Sequence, residues 1–315
     1  MIENSPLPSP ALVVAAIRRA WPRAIRTAKV HPAGWTNLMV EVDSSWMVRV
    51  PRWRSGARAV GDEARLLEYL EDRTGCPIPA PELIGILDRP RGWPFLAYRK
   101  LPGTPLRSIS ALDAVEKRRL AKFLDRLLSA VARCPPARLR HFGLAPGDPG
   151  SYGRRFRRLR SRYRRLDAGR LPPSLESAAL GTIRETLRTL DASRYRPVLL
   201  HGDLWPNHIL WDARSGRPSG VIDWEDARLG DPAGDLTALE GLGPQELRRL
   251  GEARRASGDR YFWRRLALYR RVLPLWGYLY GVETGNRSLA ERHRAELRRT
   301  LVHGSAEVEQ ILAGS

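Results

Sequence analysis

The stretch His201-Gly202-Asp203-Leu204-Trp205-Pro206-Asn207-His208-Ile209-Leu210 decides how the rest of the chain is read. One apolar run, Pro197-Val198-Leu199-Leu200, leads into it, and another, Ile209-Leu210-Trp211, leads out. Two short buried strands flanking a polar loop are therefore expected. A third apolar run, Val221-Ile222, ends directly on Asp223, and the residues between Trp211 and that run are rich in turn formers. The simplest reading is a hairpin that holds Asp223 beside Asp203 and His208. Two carboxylates and an imidazole at one loop mouth suit either a metal site or acid–base chemistry.

Composition narrows the class. A chain of 315 residues with 43% apolar content and ten tryptophans can bury a sizeable core, so a globular protein is expected rather than a disordered one. The two cysteines, Cys76 and Cys134, lie far apart and outside any zinc or redox spacing, so they read as buried thiols. No apolar run approaches the ~20 residues needed to cross a bilayer. The N-terminus lacks the basic and apolar regions of a secretory signal, so a cytoplasmic enzyme without membrane attachment is expected. The formal charge is +20, and only four of the 54 basic residues are lysine. The densest run, Arg154 to Arg165, carries Phe156, Leu159 and Tyr163 at helical spacing. It reads as a helix with one apolar seam and a solvated basic face, with polyanion binding as the sharper alternative.

Taken in order, Ser9-Pro10 opens a helix by N-cap and first-turn proline. Leu38–Val42 and Trp46–Val50 form a strand–turn–strand pattern about Ser44-Ser45, and a helix from about Val60 to Asp72 carries Glu63 near its start. Strand-like Leu83–Leu87 and Pro94–Lys100 come next. Beyond Leu101-Pro-Gly-Thr-Pro105 the pattern turns helical, with Leu120, Phe123, Leu124, Leu127, Leu128 and Val131 on one face. Ser174 is expected to cap another helix, and single helices are expected over 235–240 and 289–312. The division expected is a β-rich lobe over 1–100 and a helical lobe over 101–315, an α+β architecture.

His201-Gly-Asp203-Leu with Val221-Ile-Asp223-Trp, followed by Gly230-Asp231-Pro-Ala-Gly-Asp235-Leu, resembles the aminoglycoside phosphotransferase family of the protein-kinase-like superfamily. The resemblance runs from about Gly34 to Asn286 and implies a bilobal protein-kinase-like fold. It also implies a small-molecule kinase that transfers the γ-phosphate of ATP or GTP to a substrate hydroxyl. Phosphoryl transfer is mostly positioning and charge neutralisation. The resemblance makes Asp203 the catalytic base, Arg49 the phosphate cation with Glu63 as its helix partner, and Gly34 and Asn37 part of the nucleotide loop. Phe95, Ala97, Tyr98 and Arg99 match the hinge that meets the base. Lysine is the superfamily norm at Arg49, but a guanidinium offers a fixed fork for phosphate oxygens.

One departure from the family is informative. The metal ligand five residues after the catalytic aspartate is usually asparagine; here it is His208, which pairs with Asp223. The Asn-His-Ile-Leu form is similar to the aminoglycoside 2″-phosphotransferases, and macrolide 2′-phosphotransferases also carry histidine there. Magnesium prefers oxygen ligands and manganese accepts imidazole, so Mg²⁺ with tolerance of Mn²⁺ is expected. The expected acceptor is an aminoglycoside-type antibiotic, with Glu240, Glu283 and Asp203 on its side of the site. Glu225 and Asp226 are further acidic candidates. A macrolide or another metabolite hydroxyl is the alternative, and an arginine-rich nucleic-acid binder on a kinase-like scaffold is the alternative from another class. A monomer is expected. His201, Asp231 and Asp235 read as loop braces and caps rather than chemistry.

Overall fold

Alternating apolar residues on Leu38-Met-Val-Glu-Val42 and Trp46-Met-Val-Arg-Val50 put one face of a sheet into a core and the other toward polar partners. In the computed structural model, which describes residues 9–31, 36–52, 59–87, 92–144, 146–167, 170–304 and 306–313, these segments are β2 (Asn37–Val42) and β3 (Trp46–Pro51). With β1 (Ala28–His31), β4 (Pro81–Leu87) and β5 (Trp93–Arg99) they form an antiparallel five-stranded sheet of order β1-β2-β3-β5-β4. The β2–β3 turn places Asp43 and Ser44 at positive φ, and the Asp43 carboxylate accepts from the Arg26 and Thr27 amides. Leu38, Val40, Val48, Val50 and Phe95 pack with Val13 and Ile17 of helix α1 (Pro10–Ala20). Helix α2 (Val60–Thr74) buries Leu66, Leu67 and Leu70, as its periodicity predicts.

The chain separates into two compact units that do not follow chain order. The sheet unit comprises Met1–Pro105, His141–Gly143 and Ile209–Glu225. Besides the sheet it holds a hairpin of β8 (Ile209–Asp212) and β9 (Arg217–Val221), to which the two-residue β6 (Thr104–Pro105) adds an edge. Asp212 closes the hairpin by accepting from the Arg214 amide and the Ser215 hydroxyl. Strand pairing thus draws 209–225 into the N-terminal unit, although in sequence these residues lie deep within the helical half.

The helical unit comprises Leu106–Arg140, Leu144–His208 and Asp226–Ser315. Helix α3 (Ala114–Ala132) starts with a reciprocal capping box between Asp113 and Glu116 and buries the six-residue apolar face read from its spacing. Then come α4 (Pro149–Asp167), α5 (Pro173–Ala192), the antiparallel pair β7 (Val198–Leu200) and β10 (Arg228–Gly230), and α6 (Pro244–Glu252). Helices α7 (Phe262–Glu283), α8 (Arg287–His303) and α9 (Ala306–Ala313) complete the unit. Phe156, Leu159 and Tyr163 form the buried seam of α4, and Phe156 stacks on Tyr269 at 5.3 Å.

Three local readings need correction. Helix α5 begins at Pro173 behind Pro172, with no side-chain cap, so Ser174 lies inside its first turn: the proline pair presets the helical entry. The helix expected over 289–312 is two, α8 and α9, with Gly304 at φ 67° between them. The segment 235–240 holds only a 3₁₀ turn, Gly234–Leu236, and Gly241 and Gly243, at φ 93° and 98°, stop a helix from running on. Both cysteines are buried free thiols. No helix among the described residues is long and apolar enough to cross a membrane.

Candidate active site

In the sheet unit, period-2 alternation turns Arg49 away from the apolar core face of β3, and Met39 pairs with it across the ladder. Arg49 is 5% exposed and Glu63 of α2 is 9% exposed; the carboxylate accepts from Arg49 Nη2. Arg49 Nη1 is different. It lies 3.6 Å from Glu225 and 3.9 Å from Asp223, and it is buried without a hydrogen-bond partner among the described residues. Asp223 takes φ 69°, a left-handed backbone that side-chain-bearing residues adopt only where their surroundings enforce it. Its carboxylate remains 35% exposed.

Glu225 is the functional candidate in this cluster whose place the sequence reading missed. It accepts from Asn37 Nδ2 at 2.6 Å and from the Thr36 hydroxyl, and so ties the start of β2 to the segment after β9. Burial raises its pKa, Asp223 raises it further, and Thr36, Arg49 and Asn37 pull it back. The available signal was the i, i+2 spacing of two acids, Asp223-Trp-Glu225, after a buried strand. Nearby, burial pushes the Tyr98 phenol up to about 12, with Arg49 lowering it and Asp223 raising it. Gly34 lies outside the described residues. Phe95, Ala97 and Tyr98 sit in β5 between two partner strands, whereas Arg99 pairs with Trp46 of β3 alone. Past that point the Lys100 amide donates to Ser45, and the chain leaves the sheet. Arg99 covers the Trp46 ring at 4.0 Å and contacts Glu82.

In the helical unit, the loop after β7 is built around Asp203. The Asp235 carboxylate accepts from the amides of His201 (2.7 Å) and Gly202 (2.8 Å), the role its position in the sequence suggested. Burial raises the pKa of Asp235, and those two amides, Arg228 and Arg254 lower it. His201 is fully buried, and its Nδ1 accepts from the Asp203 amide at 3.3 Å. Gly202 has φ 86°, and a Cβ there would stand 2.1 Å from the Asp226 carbonyl oxygen, so only glycine fits. Arg228 closes the loop by donating to the Gly202 carbonyl. The Asp203 carboxylate, braced at its backbone, is 37% exposed.

His208 ends the 3₁₀ turn Pro206–His208, with Nδ1 2.7 Å from the Asp203 carbonyl oxygen and 3.5 Å from an Asp203 carboxylate oxygen. A ring nitrogen bonded to a carbonyl carries the proton, which puts the lone pair on Nε2, the arrangement a ligating imidazole needs. His208 belongs to the helical unit and Asp223 to the sheet unit. Among the described residues no three His, Cys, Asp or Glu side chains form a ready metal cage. Magnesium does not need one, since it is commonly held by one or two carboxylates together with substrate phosphates.

The two acids read as substrate contacts are both occupied by arginine. Glu240 accepts two hydrogen bonds from Arg299, at 3.1 and 3.2 Å, and this pairing holds its carboxyl below the usual range against the opposing effect of burial. Glu283 pairs with Arg162 and, at 3.8 Å, with Arg165, so part of the basic α4 face is spent on it. Arg155 is also drawn inward, 5.0 Å from the Trp276 ring, and burial pulls its pKa down.

The profile of the APH family, the phosphotransferase enzyme family, matches residues 27–275. This chain belongs to that family. Viomycin phosphotransferase of Streptomyces vinaceus is 28% identical over 200 residues, covering 61% of this chain and 66% of its own length, just under two thirds. The GDP and kanamycin complex of APH(2″)-IIIa is 24% identical with a TM-score of 0.79, covering 91% of this chain and 97% of that one. The macrolide 2′-phosphotransferase MphH of Brachybacterium faecium is 21% identical with a TM-score of 0.64, at 91% and 97% coverage. These likenesses carry the family fold, and the α+β kinase-like class expected from the motifs is the one found.

Proposed function

We propose that this APH-family protein is a small-molecule kinase that transfers the γ-phosphoryl group of ATP or GTP to an antibiotic hydroxyl. The observation that carries the reading is Arg49 Nη1, a buried cationic donor without a hydrogen-bond partner among the described residues, held by Glu63 and close to two carboxylates. A triphosphate supplies the missing acceptors, and a guanidinium fork suits phosphate oxygens. Asn37, Gly34 and the backbone from Phe95 through Ala97, Tyr98 and Arg99 serve the nucleotide. Asp223 and His208 would hold Mg²⁺, with Mn²⁺ tolerated because of the imidazole; the ion neutralises phosphate charge when bound.

Asp203 orients the acceptor hydroxyl and takes its proton as the new O–P bond forms. The bond from the γ-phosphorus to the bridging oxygen breaks, and the nucleoside diphosphate leaves. On the acceptor side, Glu240 and Glu283 are the acids for a cationic substrate. An incoming ammonium must displace Arg299 or Arg162, so affinity for strongly polycationic aminoglycosides is expected to be lower than two open carboxylates would give. A macrolide or a basic peptide antibiotic of the viomycin kind tests that expectation. The decisive experiment measures nucleotide consumption and phosphorylated product for aminoglycosides, macrolides and basic peptides, with ATP and GTP separately. Turnover that requires Asp203 supports the proposal; no turnover with any member sinks it.

A second reading, polyanion binding, rests on the exposed guanidinium groups of Arg157, Arg158 and Arg164 on α4. It requires a steep loss of RNA or DNA affinity with salt. A flat dependence removes it.

A further inference from the structure

Helices α4 and α7 meet along a seam whose rungs carry charge. Arg155 and Arg162 stand seven residues apart on α4, about two helical turns, and so share a face. Their partners on α7, Trp276 and Glu283, are seven apart as well. Arg162 donates to Glu283 at 2.5 Å, and the Arg155 guanidinium lies 5.0 Å from the Trp276 ring. The Arg155 end of the seam is the end beside the Asp203 loop. One turn before it, Tyr152 leaves no room for a Cβ on Gly230 or Gly234, which would stand 2.9 and 2.7 Å away, so α4 is seated directly on β10. Strand β10 begins at Arg228, which donates to the Gly202 carbonyl. Arg155 is close enough to Arg228, Asp226 and Asp203 for their charges to act on it.

Arg155 differs from the other arginines around this loop in having nothing to neutralise it. Arg228 has Asp226 at 3.3 Å, Arg299 has Glu240 at 3.1 Å, and Arg162 has Glu283. Asp203 aside, the three acids of the helical unit read as acceptor contacts are thus each matched by a guanidinium. Among the described residues Arg155 has no carboxylate within ion-pair distance, and its partner is the Trp276 ring. It is half-buried, which limits the screening of its field by salt. At roughly 10 Å and an effective dielectric constant near 20, one unit charge alters the affinity of another by roughly tenfold. An approaching polycation meets that field with its prospective counter-charges already taken.

Building on the reading of the chain as a small-molecule kinase, we infer that Arg155 sets the charge class of the acceptor. It holds polycations off the approach to Asp203 and leaves the site to hydroxyl acceptors that carry no more than one positive charge. Discrimination of this kind comes from a repulsive element rather than from an added contact. Arg155 takes no part in the transfer itself, which stays with Asp203.

The test pairs kanamycin with its fully N-acetylated form, which keeps the hydroxyls and loses the charge. Binding of each to the full chain is read by calorimetry without nucleotide, and turnover by phosphorylated product. The uncharged form is expected to bind at least as tightly as kanamycin. Arg155→Gln should tighten kanamycin about tenfold, in KM and not in kcat, and leave the uncharged form as it was. Arg155→Lys, which keeps the charge, should match the parent, and so should Arg158→Gln on the solvated face of α4. Arg155→Met, which keeps an unbranched stem against Trp276, decides the matter if Arg155→Gln does not fold. Tighter binding of kanamycin than of its uncharged form by the parent overturns the inference. So does kanamycin binding that is unchanged in Arg155→Gln, or that gains as much in Arg158→Gln. Turnover of neither form, with the binding shifts intact, counts against the kinase reading and leaves the role of Arg155 standing.

Discussion

Arg49 and Arg265 are both buried guanidinium groups, yet the protein treats them in opposite ways. Arg265, on α7, spends all five N–H groups: on Asp231 through Nε and Nη2, on Asp259 through Nη1 and Nη2, and on Ser193 through Nη1. Its face lies 4.8 Å from the Tyr195 ring, and Asp231 also accepts from the Tyr269 hydroxyl at 2.7 Å. Burial would lower its pKa, but the Asp259 and Asp231 interactions more than offset this and raise it. Among the described residues Arg49 has one firm partner, Glu63, and a buried nitrogen left over. The difference separates structure from function. Arg265 is complete within the fold, whereas the spare donor of Arg49, beside two carboxylates, is open to a ligand.

The largest expected effect falls on neither arginine. Asp203→Ala should lower kcat by about 10²–10⁴, the usual contribution of a positioned base, while nucleotide binding by calorimetry and Tm stay close to the parent. Equal losses of nucleotide binding and kcat would mean that Asp203 has been given the wrong role. Next, the same exchange at both arginines sets them against each other. Arg265→Lys cannot reproduce the planar fork between two aspartates and forfeits at least two charge-assisted hydrogen bonds, each worth about 1.5–3 kcal/mol. Tm should fall by on the order of 10 °C. Arg49→Lys keeps the charge and the Glu63 contact; its Tm should barely move while nucleotide KM rises about tenfold, one charge-assisted hydrogen bond. If both variants lose stability alike, the contrast between them is wrong.

The smallest effect probes what neutralises Arg49. Burial raises the folded-state pKa of Glu225 above the ordinary glutamate value. A raised carboxyl pKa favours the folded state at acid pH, and that contribution is lost as pH rises through the folded value. Glu225→Gln removes the penalty of burying the charge. Its Tm should match the parent near pH 4 and edge above it toward pH 7. A gap that widens on acidification instead would reverse the sign of this assignment.

Legibility differed from residue to residue. Asp203 and Asp223 stood out as candidates because each follows a short apolar run within motifs that resemble the family's, and Arg49 and Glu63 only through that resemblance. Glu225 was legible as one more acid near Asp223 but not as the partner of Thr36 and Asn37. Its partners Thr36 and Asn37 are almost 190 residues away, and no local periodicity encodes that pairing. Arg265 was invisible in a chain so rich in arginine, where only its partners Asp231 and Asp259 in the fold tell it from the others. Glu240 and Glu283 were legible as acids but not as acids already paired with Arg299 and Arg162.

The sequence by itself determined the elements, the two carboxylate-bearing turns and the family, because these depend on short-range patterning and a few residues at set spacing. Tertiary structure decided which charges are satisfied. It drew 209–225 into the sheet unit, gave Glu63 and Glu225 to Arg49, and closed all five donors of Arg265. The reason is physical: burial makes each unmet hydrogen bond expensive, and whether it is met depends on residues that only the folded chain brings within 3 Å or so of one another.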